Sequence, residues 1–477
     1  MARLAWFTPL RPDRSGIAAY NDALLPLLST DHEIDVFTAT RSPLAPAGRA
    51  LRVLPADDFL PRHLRAPYPL VVYQLGNAPC HDFIWPHLVR YPGLLVLHDG
   101  QLHHVRAMRL LTRGLHDAYR AEFEYNHPLA PSAASEFFIH AFADSFYYLY
   151  PMVRLAVRCA RLVAVHSPGL ARDLAAEHEP LEVWPIRHGM ADPLSDTASR
   201  RAAALRARYG VPPGALLFAA FGLLTPEKRI PAVLRAFASM APEGMGTGEP
   251  PHLLLAGGTV DHYDPAAEAR ELGVADRVHI TGYVPDQDLD AHVVMADVCL
   301  SLRFPTGGET SGPWLRALAA GKPTIVSNLA HTADTPSLRP GTWEVLPAPL
   351  ARRGTGSDPL SIAVDVLDEH EELTLAMSRL TADAALREAL GQAARAHWTR
   401  QHTMAAAVED YGLVIERALR CPMRRLTDLP AHLAQDPLEL GRRLAAEWGV
   451  AVDILEAARR GASDGDGGEA ASQTGEA

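Results

Sequence analysis

Cysteine is scarce in this chain, with four in 477 residues at Cys80, Cys159, Cys299 and Cys421. They form no CxxC pair and no zinc-ligand spacing, so they predict reduced, mostly buried thiols in a cytoplasmic protein. Long apolar runs are missing as well. The best, Ala215 to Leu224, has the length of a strand, well short of the roughly 18 residues a membrane span needs. Positive charge is not in excess: the formal net charge of −11 argues against a nucleic-acid-binding face. A local basic pocket for a phosphate remains compatible with it. The opening residues MARLAWFTPL turn polar at Arg11, too early for a secretory apolar segment, and read as a first β-strand.

What is present is alternation. Short apolar runs separated by helical stretches are the pattern of βαβ units and parallel sheets. The first half predicts strands at Leu4–Pro9, Glu33–Thr38, Leu70–Leu75, Gly93–His98, Leu162–His166 and Leu181–Arg187. Several are apolar on both faces, as strands covered by helices on two sides should be. Residues 100–160 read as a helical insertion, with Phe137, Phe138, Phe142, Phe146, Tyr147, Tyr148 and Tyr150 at helical spacing. They fit an acceptor-facing layer or, better for most of them, a small core of the insertion itself.

A polar linker, Gly189 to Arg200, precedes a second alternation. Its expected strands are Leu216–Phe221, His252–Ala256, Val278–Thr281, Val298–Leu302, Thr324–Ser327 and Trp343–Leu346, with helix throughout Leu360 to Leu419. The restart predicts two similar α/β domains, 1–190 and 201–400. A crossover helix at 401–420, a helical extension at 421–460 and a disordered acidic tail at 461–477 follow.

The segment Arg303 to Asn328 (RFPTGGETSGPWLRALAAGKPTIVSN) carries the chemistry. A predicted strand leads through Gly307 and Gly308 into a helix starting near Trp314. Glycines allow close approach, and a helix start offers unpaired N–H groups and a positive dipole end. Thr310, Ser311 and Gly312 are placed against phosphates. Glu309, an anion itself, suits ribose or sugar hydroxyls. An ordinary capped turn is the plainer reading of the same residues. Lys228 and Arg229 follow a second buried strand ending at Gly222, in a loop before a helix. Ser15-Gly16 opens a helix after the first strand. His98 sits at the end of a buried strand, where open α/β sheets place ligands.

These motifs resemble the retaining, family-4-type glycosyltransferases (glycosyl transferases group 1) of the GT-B fold, in the subset with a GETSG loop. The resemblance spans roughly Leu4 to Leu419. It implies two Rossmann-like domains facing across a cleft, acceptor side first and donor side second, with the last helix returning to the first domain. Gly16, Lys228, Arg229, Thr310, Ser311 and Gly312 would hold the donor diphosphate. Val284, in Gly282-Tyr-Val-Pro-Asp286, and Glu309 would face the base and ribose, and His98 the transferred sugar. His98, Glu309 and Lys228 are thus the implied catalytic set.

Three positions depart from the family pattern. Leu223 stands where the family has an arginine, Gly308 where it has a first glutamate, with Glu309 displaced by one, and Arg316 where it has a second. The implied reaction retains configuration, with the leaving phosphate taking the acceptor proton, and needs no cofactor or metal. The acceptor, whether glycan, lipid-linked or small molecule, is not legible, and peripheral membrane association stays compatible. A sugar-nucleotide epimerase and a non-catalytic nucleotide-sugar-binding protein are the competing readings. The Gly244 to Gly248 run reads as a linker. Asp286, Asp288 and Asp290 read as residues opening a helix, favoured by its dipole, rather than a metal-binding D-x-D.

Overall fold

The computed structural model describes residues 1–48, 50–140, 144–178, 181–240, 249–329, 334–423, 426–434 and 448. The Gly244 to Gly248 run, the tail and nearly all of the expected extension beyond 434 lie outside them.

The first sheet holds β1 (Arg3–Phe7), β2 (Glu33–Thr38), β3 (Leu51–Pro55), β4 (Leu70–Leu75), β5 (Leu94–Leu97), β6 (Leu162–Val165) and β7 (Val183–Pro185), in the order 3-2-1-4-5-6-7. Every pairing is parallel. β4 and β5 are buried along their whole length, as strands sandwiched between helical layers must be. The second sheet contains β8 (Leu217–Phe221), β9 (His252–Ala256), β10 (Val278–Ile280), β11 (Val298–Ser301), β12 (Thr324–Ser327), β13 (Ser337–Leu338), β14 (Val345–Leu346) and β15 (Ser361–Val364). Its order is 10-9-8-11-12-15-13-14, parallel except for the β13–β14 pair.

Two expectations need correction. The stretch from Leu360 is not helical throughout, because β15 lies between β12 and β13 and is fully buried. Four residues are too few to show a period, so the run merges with the helices behind it. Trp343 is no strand residue either; its φ of +60° places it in a turn before β14. The sequence reading also passed over β3, a half-exposed edge strand carrying Arg52 rather than an apolar run.

The helix Met404–Arg420 returns to the first domain and buries Tyr411, Val414, Ile415 and Ala418 with Leu4, Trp6 and Leu24. Asp410 anchors it by accepting from the Arg187 backbone N–H (2.6 Å) and guanidinium (2.6 and 2.9 Å). Tyr411 also meets Gln74 Nε2 at 3.2 Å, at the end of β4. This helix therefore braces the strand ends that border the cleft.

The insertion does pack its own core, around Leu110, Tyr119, Phe123, Phe138 and Met152. Phe137 and Phe146 are exposed, and Phe142 lies outside the described residues. The insertion is pinned by a buried ion pair. Arg106 Nε donates to Glu122 Oε2 at 2.7 Å, its guanidinium covers the Trp85 ring at 4.5 Å, and His432 reaches Glu122 at 2.8 Å. Arg106→Met leaves Glu122, which has no exposed surface, with only the histidine. A loss of about 3 kcal/mol in urea unfolding is expected. A loss under about 1 kcal/mol would show the pair to be dispensable.

Candidate functional site

A cavity of about 220 Å³ lies where the strands of the two sheets end. Phe221 of β8, Ser301 of β11 and Ser327 of β12 contribute to it from the second domain, and His166 and Ser167 after β6 from the first. Carboxyl ends of parallel strands are where open sheets leave room for ligands.

One wall is the start of the helix Gly312–Ala319. Ser311 caps it, its Oγ accepting from Trp314 N–H at 3.3 Å and lying 3.0 Å from Ser301 Oγ. Pro313 has no N–H and that of Trp314 is taken, so Gly312 supplies the amide at the helix start. Thr310, Ser311 and Gly312 all line the cavity.

Lys228 enters from beneath. Its Nζ donates to Phe221 O at 2.8 Å, crossing Gly222, which has a φ of +100°. A Cβ at Gly222 would collide with that Nζ, so the glycine makes the path for the lysine as well as the turn. Burial, with Arg303 adding to it and Glu309 opposing, brings the Lys228 ammonium down to about 8. The field of Arg303 at Lys228 reveals a second cation in the wall, which sequence reasoning missed. Leu223, at the family's arginine position, is instead exposed.

Glu309 also lines the cavity, but its carboxylate is already engaged. Oε1 pairs with Arg303 Nε at 2.5 Å, while Oε2 accepts from Gly307 N–H (2.9 Å) and Thr306 Oγ1 (3.0 Å). It therefore shapes the glycine loop and aims Arg303. That loop touches the first domain: Gly100 N–H donates to Gly307 O at 2.6 Å. Next to it Asp99 accepts from Asn77 N–H at 2.8 Å. Its carboxyl is pushed up to about 6 by burial, then by the facing Glu309.

Other candidates fall elsewhere. His98 stands behind the wall, its Nε2 2.6 Å from Gln74 Oε1 and its ring 4.8 Å from that of His166. Burial, reinforced by His188 and His81, holds it well below the ordinary imidazole range. Arg229 grips Glu369 through two bonds, the longer 2.7 Å. Arg316 pairs with Asp290. Val284 packs against the core beneath β8 and β9. Gly16 begins the helix capped by Ser15, close to Arg14, whose guanidinium lies 4.3 Å from the Tyr283 ring of the second domain. The structure thus gathers Lys228, Glu309, Thr310, Ser311 and Gly312 on one wall, without His98, Gly16, Arg229 or Val284.

Three histidines that sequence reasoning left unassigned also border the cavity: His166, His397 and His402. The His166 ring stacks on His188 at 4.4 Å, and His402 Nδ1 lies 3.1 Å from His188 O. They come from both domains and the crossover, so no local motif announces them.

Residues 202–335 match the family model described as Glycosyl transferases group 1. Solved structures of similar shape include HepE of Anabaena in complex with UDP and glucose, at 12% identity and a TM-score of 0.57, covering 87% of this chain and 100% of that one. Sucrose-phosphate synthase of Thermosynechococcus elongatus has 16% identity and a TM-score of 0.56, covering 87% and 99%. The catalytic domain of starch synthase IV from Arabidopsis thaliana, bound to ADP and acarbose, has 11% identity and a TM-score of 0.58, covering 88% and 99%. No curated protein matches the sequence. The chain has the GT-B fold, two Rossmann-like parallel-sheet domains, and its second domain carries the group 1 glycosyltransferase match.

Proposed function

We propose that this protein moves a sugar from a nucleotide-sugar donor to an acceptor, retaining configuration and using no metal. The observation that carries the reading is the cavity wall where Lys228 and the Gly312 helix start meet, with Arg303 beside them. Cleaving a sugar–phosphate bond leaves a diphosphate gaining negative charge. Two fixed cations and a helix start in a partly desolvated site stabilise that charge as it develops. The leaving phosphate oxygen then takes the acceptor's proton on the same face, so the protein's task is positioning.

The group 1 match and the nucleotide-bound neighbours of the same fold support a transferase over the epimerase or purely binding readings. Thermal shift with UDP, GDP, ADP, TDP and their sugars tests it. One nucleotide at a hundred times its Kd is expected to add about 2.7 kcal/mol of stability, and the matching nucleotide sugar should be hydrolysed slowly, releasing first the anomer it carried. If no nucleotide stabilises the chain, the reading fails. Epimer formation from donor alone would replace it with the epimerase.

A further inference from the structure

The cavity extends beyond the cations, toward the crossover, into a part that the proposed phosphate contacts do not use. Its lining there includes His166, Asp334, Arg352, Thr355, His397 and Gln401. His397 is 3% exposed, and neither ring nitrogen has a partner among the described residues. His166, at 6%, makes no hydrogen bond of normal geometry through either nitrogen. Arg352 Nη1 donates to Pro185 O at 3.1 Å, while its buried Nη2 has no partner among the described residues. Native folds rarely leave several buried polar atoms unmet in one place, because each costs about 1–3 kcal/mol. When they share a cavity, a ligand that satisfies them is the direct explanation.

The chemistry of the set selects the ligand. A neutral imidazole offers one donor and one acceptor, Thr355 combines both, and Gln401, whose Nε2 already donates to Arg353 O at 2.9 Å, keeps its carbonyl oxygen and a second N–H. Arg352 brings positive charge, but Asp334 lies close enough to act on it electrostatically, so the pocket is not a cation looking for an anion. Mixed donors and acceptors near balanced charge match a ring whose every hydroxyl both donates and accepts. The pocket is continuous with the Lys228 and Ser311 wall, and in a nucleotide sugar the transferred sugar adjoins the diphosphate on one side, as the ribose does on the other. We propose that His166, His397 and Arg352, with Thr355 and Gln401, form the subsite that reads the hydroxyls of a neutral hexopyranose carried by the donor. This inference rests on the transferase reading and goes beyond it in naming the sugar class and the residues that select it.

The test compares His397→Phe and Thr355→Val with the unaltered full-length chain. The probes are UDP with UDP-glucose, GDP with GDP-mannose and ADP with ADP-glucose. For the pair that binds, calorimetry is expected to show about tenfold weaker nucleotide-sugar binding in His397→Phe, with nucleotide affinity within about twofold of the unaltered chain. Thr355→Val, smaller in its change of shape, should show the same selective loss if His397→Phe fails to fold. Equal weakening of nucleotide and nucleotide sugar would mean a structural role and overturn the proposal. Unchanged binding of both would overturn it too. Failure of the transferase reading looks different, since the unaltered chain would then bind none of the nucleotides.

Discussion

Lys228→Met should lower kcat/KM for the donor by about 10² to 10³-fold, roughly 3–4 kcal/mol of transition-state stabilisation. Methionine keeps most of the volume and removes the charge. The neighbours cannot replace it, because Arg303 is already paired with Glu309 and Arg229 with Glu369. The pH profile gives an independent check. With the ammonium brought down to about 8 by burial, then by Arg303, the free protein loses this charge as pH rises through that value. An alkaline fall in kcat/KM near pH 8 is expected, moving upward in kcat because bound diphosphate holds the proton on. Stability should run the other way. Between about 8 and the unfolded value of 10.5 the unfolded chain binds the extra proton, so stability without ligand rises with pH there. In Lys228→Met both the alkaline limb and this rise should vanish. A variant with near-normal kcat/KM would remove Lys228 from the mechanism.

Much of this wall could be read from the chain, for a physical reason. Lys228 follows a strand of five buried residues, and Ser311 caps the helix of its own loop, so each sits where local structure puts it. Arg303 was harder to read, since a charged residue after a strand is ordinarily solvated. Only the fold sets the loop carrying Lys228 beside it. Arg229 shows the converse, a cation in a plausible motif that turns to Glu369 on a helix far along the chain. His166, His397 and Arg352 are farther still from any local signal, since the first domain supplies one and the second domain the other two. The two sheets were legible wherever strands were apolar on both faces. They were not at β3, an exposed edge, or at β15, four residues ahead of a long helical stretch.

The contact between domains should be as sensitive as the cation. Gly100, just past the end of β5, donates its N–H to Gly307 O at 2.6 Å, and a Cβ added there would lie 2.6 Å from that same oxygen and from Leu170 Cδ1. Backbone cannot yield as a flexible side chain does, so Gly100→Ala must push the loop of Gly307 away from the first domain. That loop is shaped by Glu309, which also aims Arg303. Displacement would therefore part the diphosphate wall from His166 and Ser167, which the first domain brings to the same cavity. Misplacing reacting groups by about 1 Å costs on the order of 100-fold, and a loss of that size in kcat/KM is expected for Gly100→Ala. Each domain keeps its own core, so nucleotide affinity and the unfolding midpoint should stay close to those of the unaltered chain, while X-ray scattering shows a larger radius of gyration. Gly307→Ala, whose Cβ would lie 2.9 Å from Gln101 Cβ, approaches the same contact from the other side and should act in the same direction. Full activity in both variants would show that the cleft works without this contact, and closure would then have to be sought at others between the domains, such as Arg14 with Tyr283 and Arg352 with Pro185.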